Sequence, residues 1–239
     1  SESQLEKFSQ QGKDIETIRA EKAEATGHYY RLMLEHVKKV LGNIKAVYPD
    51  YREQDGYELA GFVWFQGWND MVDTGTYPTR DQPGGYDAYS RAMASFIRDV
   101  RQDLSAPAMP FVIGVLGVNG LIADFPENQK RYVGVHTNFR DAMAAPAKLP
   151  DFQGNVTAVR TGNYWDPELT ALTYRNDLVK QEAKKIQNDK GLDGKEVQAL
   201  QEELRAAEFS ESELEVLTKG VSNQGYHYLG SGKIMAGIG

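Results

Sequence analysis

With 239 residues, 41% of them hydrophobic and 26% charged, the chain can bury a sizeable core and has the composition of one globular α/β domain, alone or with an appendage. Its 34 acidic against 27 basic residues leave a formal net charge of −7 with no long Lys/Arg cluster to offset it, which argues against nucleic acid and an anionic membrane surface as partners. No stretch approaches the roughly 18 apolar residues that span a bilayer, and the absence of cysteine rules out disulfides, thiolate catalysis and Cys-ligated zinc.

Residues 1–27 are polar and rich in Glu, Lys and Gln. No signal-peptide pattern stands among them, and since Ser1 is not an initiator Met, removal of a leader stays open. Tyr30, Met33, Leu34, Val37 and Leu41 fall at helical spacing, so a helix is expected to stop at Gly42. An apolar run, Phe62 to Phe65, reads as a buried strand over about 59–66. The loop from Gly67 to Gly85 is dominated by Gly, Pro and Asp and is long for a connector, which suggests function.

A second helix is marked by Tyr89, Met93, Phe96, Ile97, Val100 and Leu104, and Pro107 and Pro110 end it. Phe111 to Val118 is a second apolar strand, Asn119-Gly120 a turn, 127–145 a third helix and Asn155 to Arg160 a third strand. Strand, loop and helix in repetition predict β-α-β crossovers and a parallel sheet. Residues 168–219 carry no strand signal. Capping-box spacing at Asp193–Glu196 and Ser210–Glu213 predicts two helix starts there. A further helix is expected from Tyr228 onward. The expected organisation is a helical segment, 1–44, and an α/β domain, 45–239, with a helical insertion at about 168–219.

Chemistry concentrates at two places. A strand that breaks into Gln66-Gly67-Trp68-Asn69-Asp70 presents polar groups at the carboxyl edge of a sheet, where α/β enzymes bind ligands. Acyl transfer builds negative charge on the former carbonyl oxygen, and a rigid donor such as an Asn amide contributes about 3–4 kcal/mol there. Asn69 or Asp70 could equally close an Asx turn or cap a helix. His227, in a loop beside Gly225, suits a general base that deprotonates a serine and then protonates the leaving alcohol, although a lone His is often structural. His28, His36 and His136 lack partners at metal-ligand spacing and are expected on helix surfaces or in satisfied contacts. Asp189 to Gly194 lacks the ligands of a calcium loop, and Gly114 to Gly120 lacks a dinucleotide fingerprint.

The Gly-Trp-Asn-Asp run resembles the third block of SGNH (GDSL-type) hydrolases. With the preceding QG and the later GYHYLGSGK, the chain is similar to the sialate O-acetylesterase-like branch, close to carbohydrate esterase family 6. The resemblance covers about 45–167 and 220–239. It implies a three-layer α/β fold with a parallel sheet flanked by helices, and serine-type hydrolysis of O-acetyl esters on oligo- or polysaccharide. It implies Asn69 and Gly67 at the oxyanion hole, His227 as base, and Gln66 and Trp68 lining or supporting the site. Tyr77 and Tyr86 are expected to contact sugar. No metal or organic cofactor is required, and a secreted or periplasmic location is implied.

Three departures from the pattern matter. Trp68 stands where relatives often carry Glu, so its ring either stacks on sugar or packs under the loop. Gln224 stands where an Asp usually orients the His. Asp166 is the substitute acid, unless it simply caps a helix ahead of Pro167. The nucleophile block Gly-Gln-Ser-Asn is missing, and none of Ser1, Ser3, Ser9, Ser90, Ser95, Ser105, Ser210, Ser212, Ser222 or Ser231 sits at a strand-to-helix elbow. The expectation is therefore that the fold is incomplete at the N-terminus, with the serine upstream and the isolated chain inactive. A catalytically silent sugar-binding relative and a helical scaffold component remain as alternatives.

Overall fold

The computed structural model describes the backbone of residues 2–239 and the side chains from Leu5 onward. The chain divides into two compact units, Ser1–Leu59 with Val100–Pro107, and Ala60–Asp99 with Ala108–Gly239.

The first unit holds α1 (Glu2–Gln10), α2 (Ile15–Ala25) and α3 (His28–Gly42). Asp14 caps α2 by accepting from the Glu16 amide, and Gly27, at φ 71°, turns the chain into α3. The Arg31 guanidinium donates back to the Thr26 carbonyl at 2.8 Å, and the Tyr30 hydroxyl donates to Asp103 at 2.6 Å. The polar stretch 1–27 thus forms two helices that periodicity did not announce. Residues with high helix propensity make them, and α2 buries no side chain, so it has no apolar stripe to betray it.

The second unit is an α/β layer built on three strands, β1 (Phe62–Trp64), β2 (Phe111–Val115) and β3 (Val156–Arg160). They pair in parallel in the order β1-β2-β3, with Phe62 opposite Phe111 and Phe111 opposite Val156. Between β1 and β2 run the short α4 (Trp68–Val72) and α5 (Asp87–Asp103); between β2 and β3 runs α6 (Val133–Ala144). The parallel α/β arrangement expected from the sequence is present. Its core is formed by Phe111, Ile113 and Val115 with Ile97, Phe139 and Met143, all fully or almost fully buried.

The first strand is not buried on both faces as expected. Phe62 stacks on Phe111 at 5.0 Å and Trp64 leans on Phe96 at 4.8 Å, but Val63 remains 70% exposed. Strand geometry sends alternate side chains to opposite faces, and β1 is an edge strand. The third helix is also shorter than expected: Glu127–Tyr132 is a 3₁₀ stretch, and α-helix begins at Val133.

His136 on α6 corrects another expectation. It is buried, its Nδ1 has no hydrogen-bond partner among the described residues, and its ring meets the edge of Phe125 at 5.1 Å. Burial, with the Arg140 charge second, pushes the imidazole down to about 4. A folded-state value below the unfolded one near 6.5 favours the neutral form, so stability present at neutral pH is lost as pH falls through that window toward 4. Between pH 7 and pH 5 the loss is expected to be about 2 kcal/mol. Urea unfolding of wild type and His136→Leu at both pH values checks this: the gap between the two proteins should move by that amount, and an unchanged gap would contradict it.

After β3, Asp166 caps α7 (Pro167–Lys190) by accepting from the Leu169 amide at 3.0 Å, with Pro167 at the first helical position. α8 (Gly194–Glu208) and α9 (Glu211–Gly220) both open on complete capping boxes, at Asp193/Glu196 and Ser210/Glu213, as the spacing predicts. Leu172 and Val179 of α7 meet Phe209 and Leu217 in a separate small core. Arg175 reaches from α7 to Glu208 at 2.8 Å and to Glu213 at 2.5 Å, tying the three helices together. The chain ends on α10 (Gly232–Ile238). It does not begin at Tyr228 as expected: Tyr228 and Leu229 take left-handed backbone (φ 55° and 59°), and Ser231 is the N-cap.

Candidate active site

At the carboxyl end of β1 the chain turns through Gly67, whose φ of 155° with ψ of −6° is reached comfortably only without a side chain. A Cβ there would also lie 2.9 Å from the Phe139 ring. This turn starts α4 at Trp68, with the Met71 amide donating to the Gly67 carbonyl at 2.9 Å. Neither Asn69 nor Asp70 caps the helix, because Gly67 occupies that position. The Asp70 carboxylate instead accepts from the Gln66 amide at 2.9 Å, while the exposed Asn69 amide makes no hydrogen bond among the described residues.

The His227 loop is anchored by its neighbour. The buried Tyr228 hydroxyl accepts from the Gly117 amide at 2.7 Å and lies 2.7 Å from Thr161 Oγ1, which itself donates to the Val115 carbonyl at 2.7 Å. One proton order satisfies all of these: Gly117 N–H to Tyr228, Tyr228 to Thr161, Thr161 to Val115. The loop is thereby tied to the carboxyl ends of β2 and β3. Gly117 is obligatory there, since a Cβ would fall 2.0 Å from the Gly162 nitrogen. Burial raises the phenol above its usual range, which keeps it neutral and able to donate. Tyr228→Phe is expected to cost about 1–3 kcal/mol, because the buried Gly117 amide loses its acceptor. An unchanged urea midpoint would show that the loop is held by something else.

These two segments meet. Trp68 stacks on Tyr226 at 5.4 Å with rings 22° apart, and the Tyr226 ring in turn contacts His227 at 4.2 Å. Between them opens a cleft of about 410 Å³ lined by Gln66, Gly67, Trp68, Asn69 and His227, walled by Phe65, Leu116, Tyr228 and Met235. The cleft therefore combines an unengaged amide, an exposed imidazole and apolar walls. The Tyr89 hydroxyl lies 3.5 Å from the Gln66 carbonyl and accepts from Trp64 Nε1 at 3.3 Å, so the strand end rests on α5.

Three sequence candidates lie elsewhere. Asp166 lines no part of the cleft: besides capping α7, its carboxylate pairs with Lys233 at 2.6 Å. Those donors hold it below the usual carboxylate range despite desolvation, the largest single influence, which acts the other way. Tyr77 and Tyr86 are buried rather than presented to sugar. Their rings meet at 5.0 Å, Tyr86 packs on Phe139, and its hydroxyl donates to the Met71 carbonyl at 2.6 Å. The long loop they belong to is a packed structural loop, since Arg80 donates to the same Met71 carbonyl and Asn138 to the Gln82 carbonyl.

Tyr226, Tyr228, Leu116 and Met235 are site residues that the sequence did not single out. The aromatic pair flanking His227 was the available signal, since two large rings around a loop His fix its position. Among the described residues no serine lines the cleft. Ser222 Oγ donates to the Gly230 carbonyl, Ser90 Oγ to the Ala142 carbonyl, and Ser210 and Ser231 cap helices. Ser1 and the side chain of Ser3 lie outside the described residues.

No curated protein and no solved structure matches the chain. Residues 5–160 match a family model described as carbohydrate esterase, sialic acid-specific acetylesterase. The match takes in residues 5–44, where the sequence offered no recognisable motif, together with β1 to β3 and the Gln66–Asn69 turn, and it stops short of the His227 loop. Matched over more than half its length, the chain belongs to the sialic acid-specific acetylesterase family of carbohydrate esterases.

Proposed function

We propose that the cleft is the acyl pocket of a serine-type carbohydrate O-acetylesterase of the SGNH kind, with Asn69 as oxyanion donor and His227 as general base and acid. The observation that carries this is the lining of one cleft by both residues, next to the apolar walls of Phe65, Leu116 and Met235. In this scheme a serine hydroxyl loses its proton to His227 as it attacks the acetyl carbon. The Asn69 amide donates to the oxygen that gains charge. His227 then protonates the departing sugar oxygen, and a water activated by the same imidazole releases acetate.

The serine comes from polypeptide outside residues 1–239. Two facts support this: no described serine lines the cleft, and the outer face of β1 leaves Val63 70% exposed. Parallel sheets are ordinarily covered on both faces, so that side chain marks where further polypeptide packs. Residues 1–44 are then a helical segment within the stretch that the family match takes in from residue 5, and 168–219 an insertion beyond that stretch. No helix among the described residues is long and apolar enough to cross a membrane. A secreted or periplasmic site of action goes with a polysaccharide substrate.

A catalytically silent sugar-binding protein is the second reading. It is favoured by Gln224, whose neutral amide cannot stabilise an imidazolium as a carboxylate does, and by the lack of any carboxylate contact to the His227 ring among the described residues. The two separate on acetate release. Purified residues 1–239 are expected to release none from acetylated oligosaccharide, while the longest natural polypeptide containing them does. Turnover by the short form would overturn the external nucleophile; none by the long form would favour the silent protein.

A further inference from the structure

Beyond the acyl cleft, the carboxyl edge of the sheet carries a second concavity of about 500 Å³. It lies between the turn that follows β2 and the first turns of α7. Trp165 and Tyr174 supply its aromatic surface; Asn119, Asn163 and Asp124 supply its polar groups. Trp165 is held rigidly: its Nε1 donates to Thr170 Oγ1, its ring meets Tyr228 at 5.5 Å, and a Cβ on Gly120 would come within 3.0 Å of it. Asn119 adopts left-handed backbone (φ 69°), held by Arg140, which donates to the Val118 and Gly120 carbonyls at 2.7 Å each. The Asn119 side chain makes no hydrogen bond among the described residues.

This concavity continues toward the acyl cleft. Asn119, Trp165 and Tyr174 also line an adjoining hollow that reaches Gly225, and Gly225 lines a third hollow with Tyr226, which borders the acyl cleft. The acid-base residue of the proposed mechanism is thus two positions along the chain from the hollow's wall. Rigid aromatic faces suit the C–H faces of pyranose rings, and free amide groups suit their hydroxyls. The second concavity itself carries Asp124 and no Lys or Arg, which opposes an anionic sugar there. Asp177 of the adjoining hollow is paired with Lys180 at 2.9 Å, and Lys180 and Arg205 line the third hollow.

We propose that the Trp165–Tyr174 cleft is a glycan subsite, binding uncharged sugar units that flank the acetylated one held at His227. This rests on the carbohydrate-esterase reading for its substrate class. The chemistry at the second concavity selects a neutral glycan over a sialylated or uronic one, which departs from the sialic acid that the family description prints.

Binding, measured apart from turnover, keeps the two readings distinguishable. Calorimetric titration of the longest natural polypeptide containing residues 1–239 with unacetylated xylohexaose, cellohexaose, mannohexaose and chitohexaose, beside oligogalacturonate and sialyllactose, is the test. At least one neutral oligosaccharide should bind and the two anionic ones should not. Tyr174→Ala, which truncates a partly exposed ring, should weaken binding about tenfold while leaving the melting temperature unchanged. Trp165→Ala should weaken it at least as much. Absence of binding to every neutral sugar, preference for the anionic ones, or full affinity in a folded Tyr174→Ala protein would overturn the subsite. Acetate release by the longest natural polypeptide, assayed separately, reports on the esterase reading alone.

Discussion

In the longest natural polypeptide carrying these residues, His227→Ala is expected to lower kcat for acetyl-ester hydrolysis by about 10³–10⁴-fold, with KM little changed. The imidazole moves a proton in each half of the proposed reaction, and among the described residues no other titratable side chain lines the cleft except the phenols of Tyr226 and Tyr228. Tyr228 is engaged in holding Gly117 and Thr161, and its raised pKa removes it as a base. The exposed His227 side chain makes no hydrogen bond among the described residues and its ring contact is with Tyr226, so its loss should leave the urea midpoint within about 0.5 kcal/mol of wild type. A folded variant with more than a tenth of wild-type kcat would remove His227 from the mechanism.

Asn69→Ala should cost about 10²–10³-fold in kcat, or roughly 3–4 kcal/mol, again without a matching rise in KM. The amide makes no hydrogen bond among the described residues and does not cap α4, so a loss of this size could not be ascribed to unfolding. Steady-state kinetics on a small acetyl ester separate the outcomes. A fall in kcat alone marks an interaction made in the transition state. A rise in KM alone would make Asn69 an ordinary binding group and leave the oxyanion without a side-chain donor.

Local chemistry was legible in the sequence where it is decided locally. The two capping boxes, the Pro167 helix start and the strand that ends at Gly67 depend on residues within a few positions of each other. The parallel sheet followed from alternating strand and helix patterns. What could not be read there was decided by long-range packing. Tyr77 and Tyr86 sit in a Gly- and Pro-rich loop that looked like a surface, and only their contacts with each other and with Phe139 make them core. Tyr228 looked like a helix residue, yet its phenol is consumed by the ends of two strands more than 60 positions away. The apolar run of β1 suggested burial on both faces, and edge position left Val63 outside. Asp166 offered two roles; the cap and the Lys233 pair claim its carboxylate.

The joining of Gln66–Asn69 to His227 is likewise a tertiary fact. It depends on a Trp68–Tyr226 stack and a Tyr228 anchor, neither of which belongs to a recognisable motif. These ring contacts bring Asn69 and His227, the proposed donor and base, to one cleft that no serine lines among the described residues.

Fluorophosphonate labelling of the longest natural polypeptide, followed by peptide mass spectrometry, probes that arrangement directly. A single labelled serine outside residues 1–239 is expected, with labelling abolished by His227→Ala. Label on Ser222 or any other serine within residues 1–239, or labelling that proceeds undiminished without His227, would contradict it.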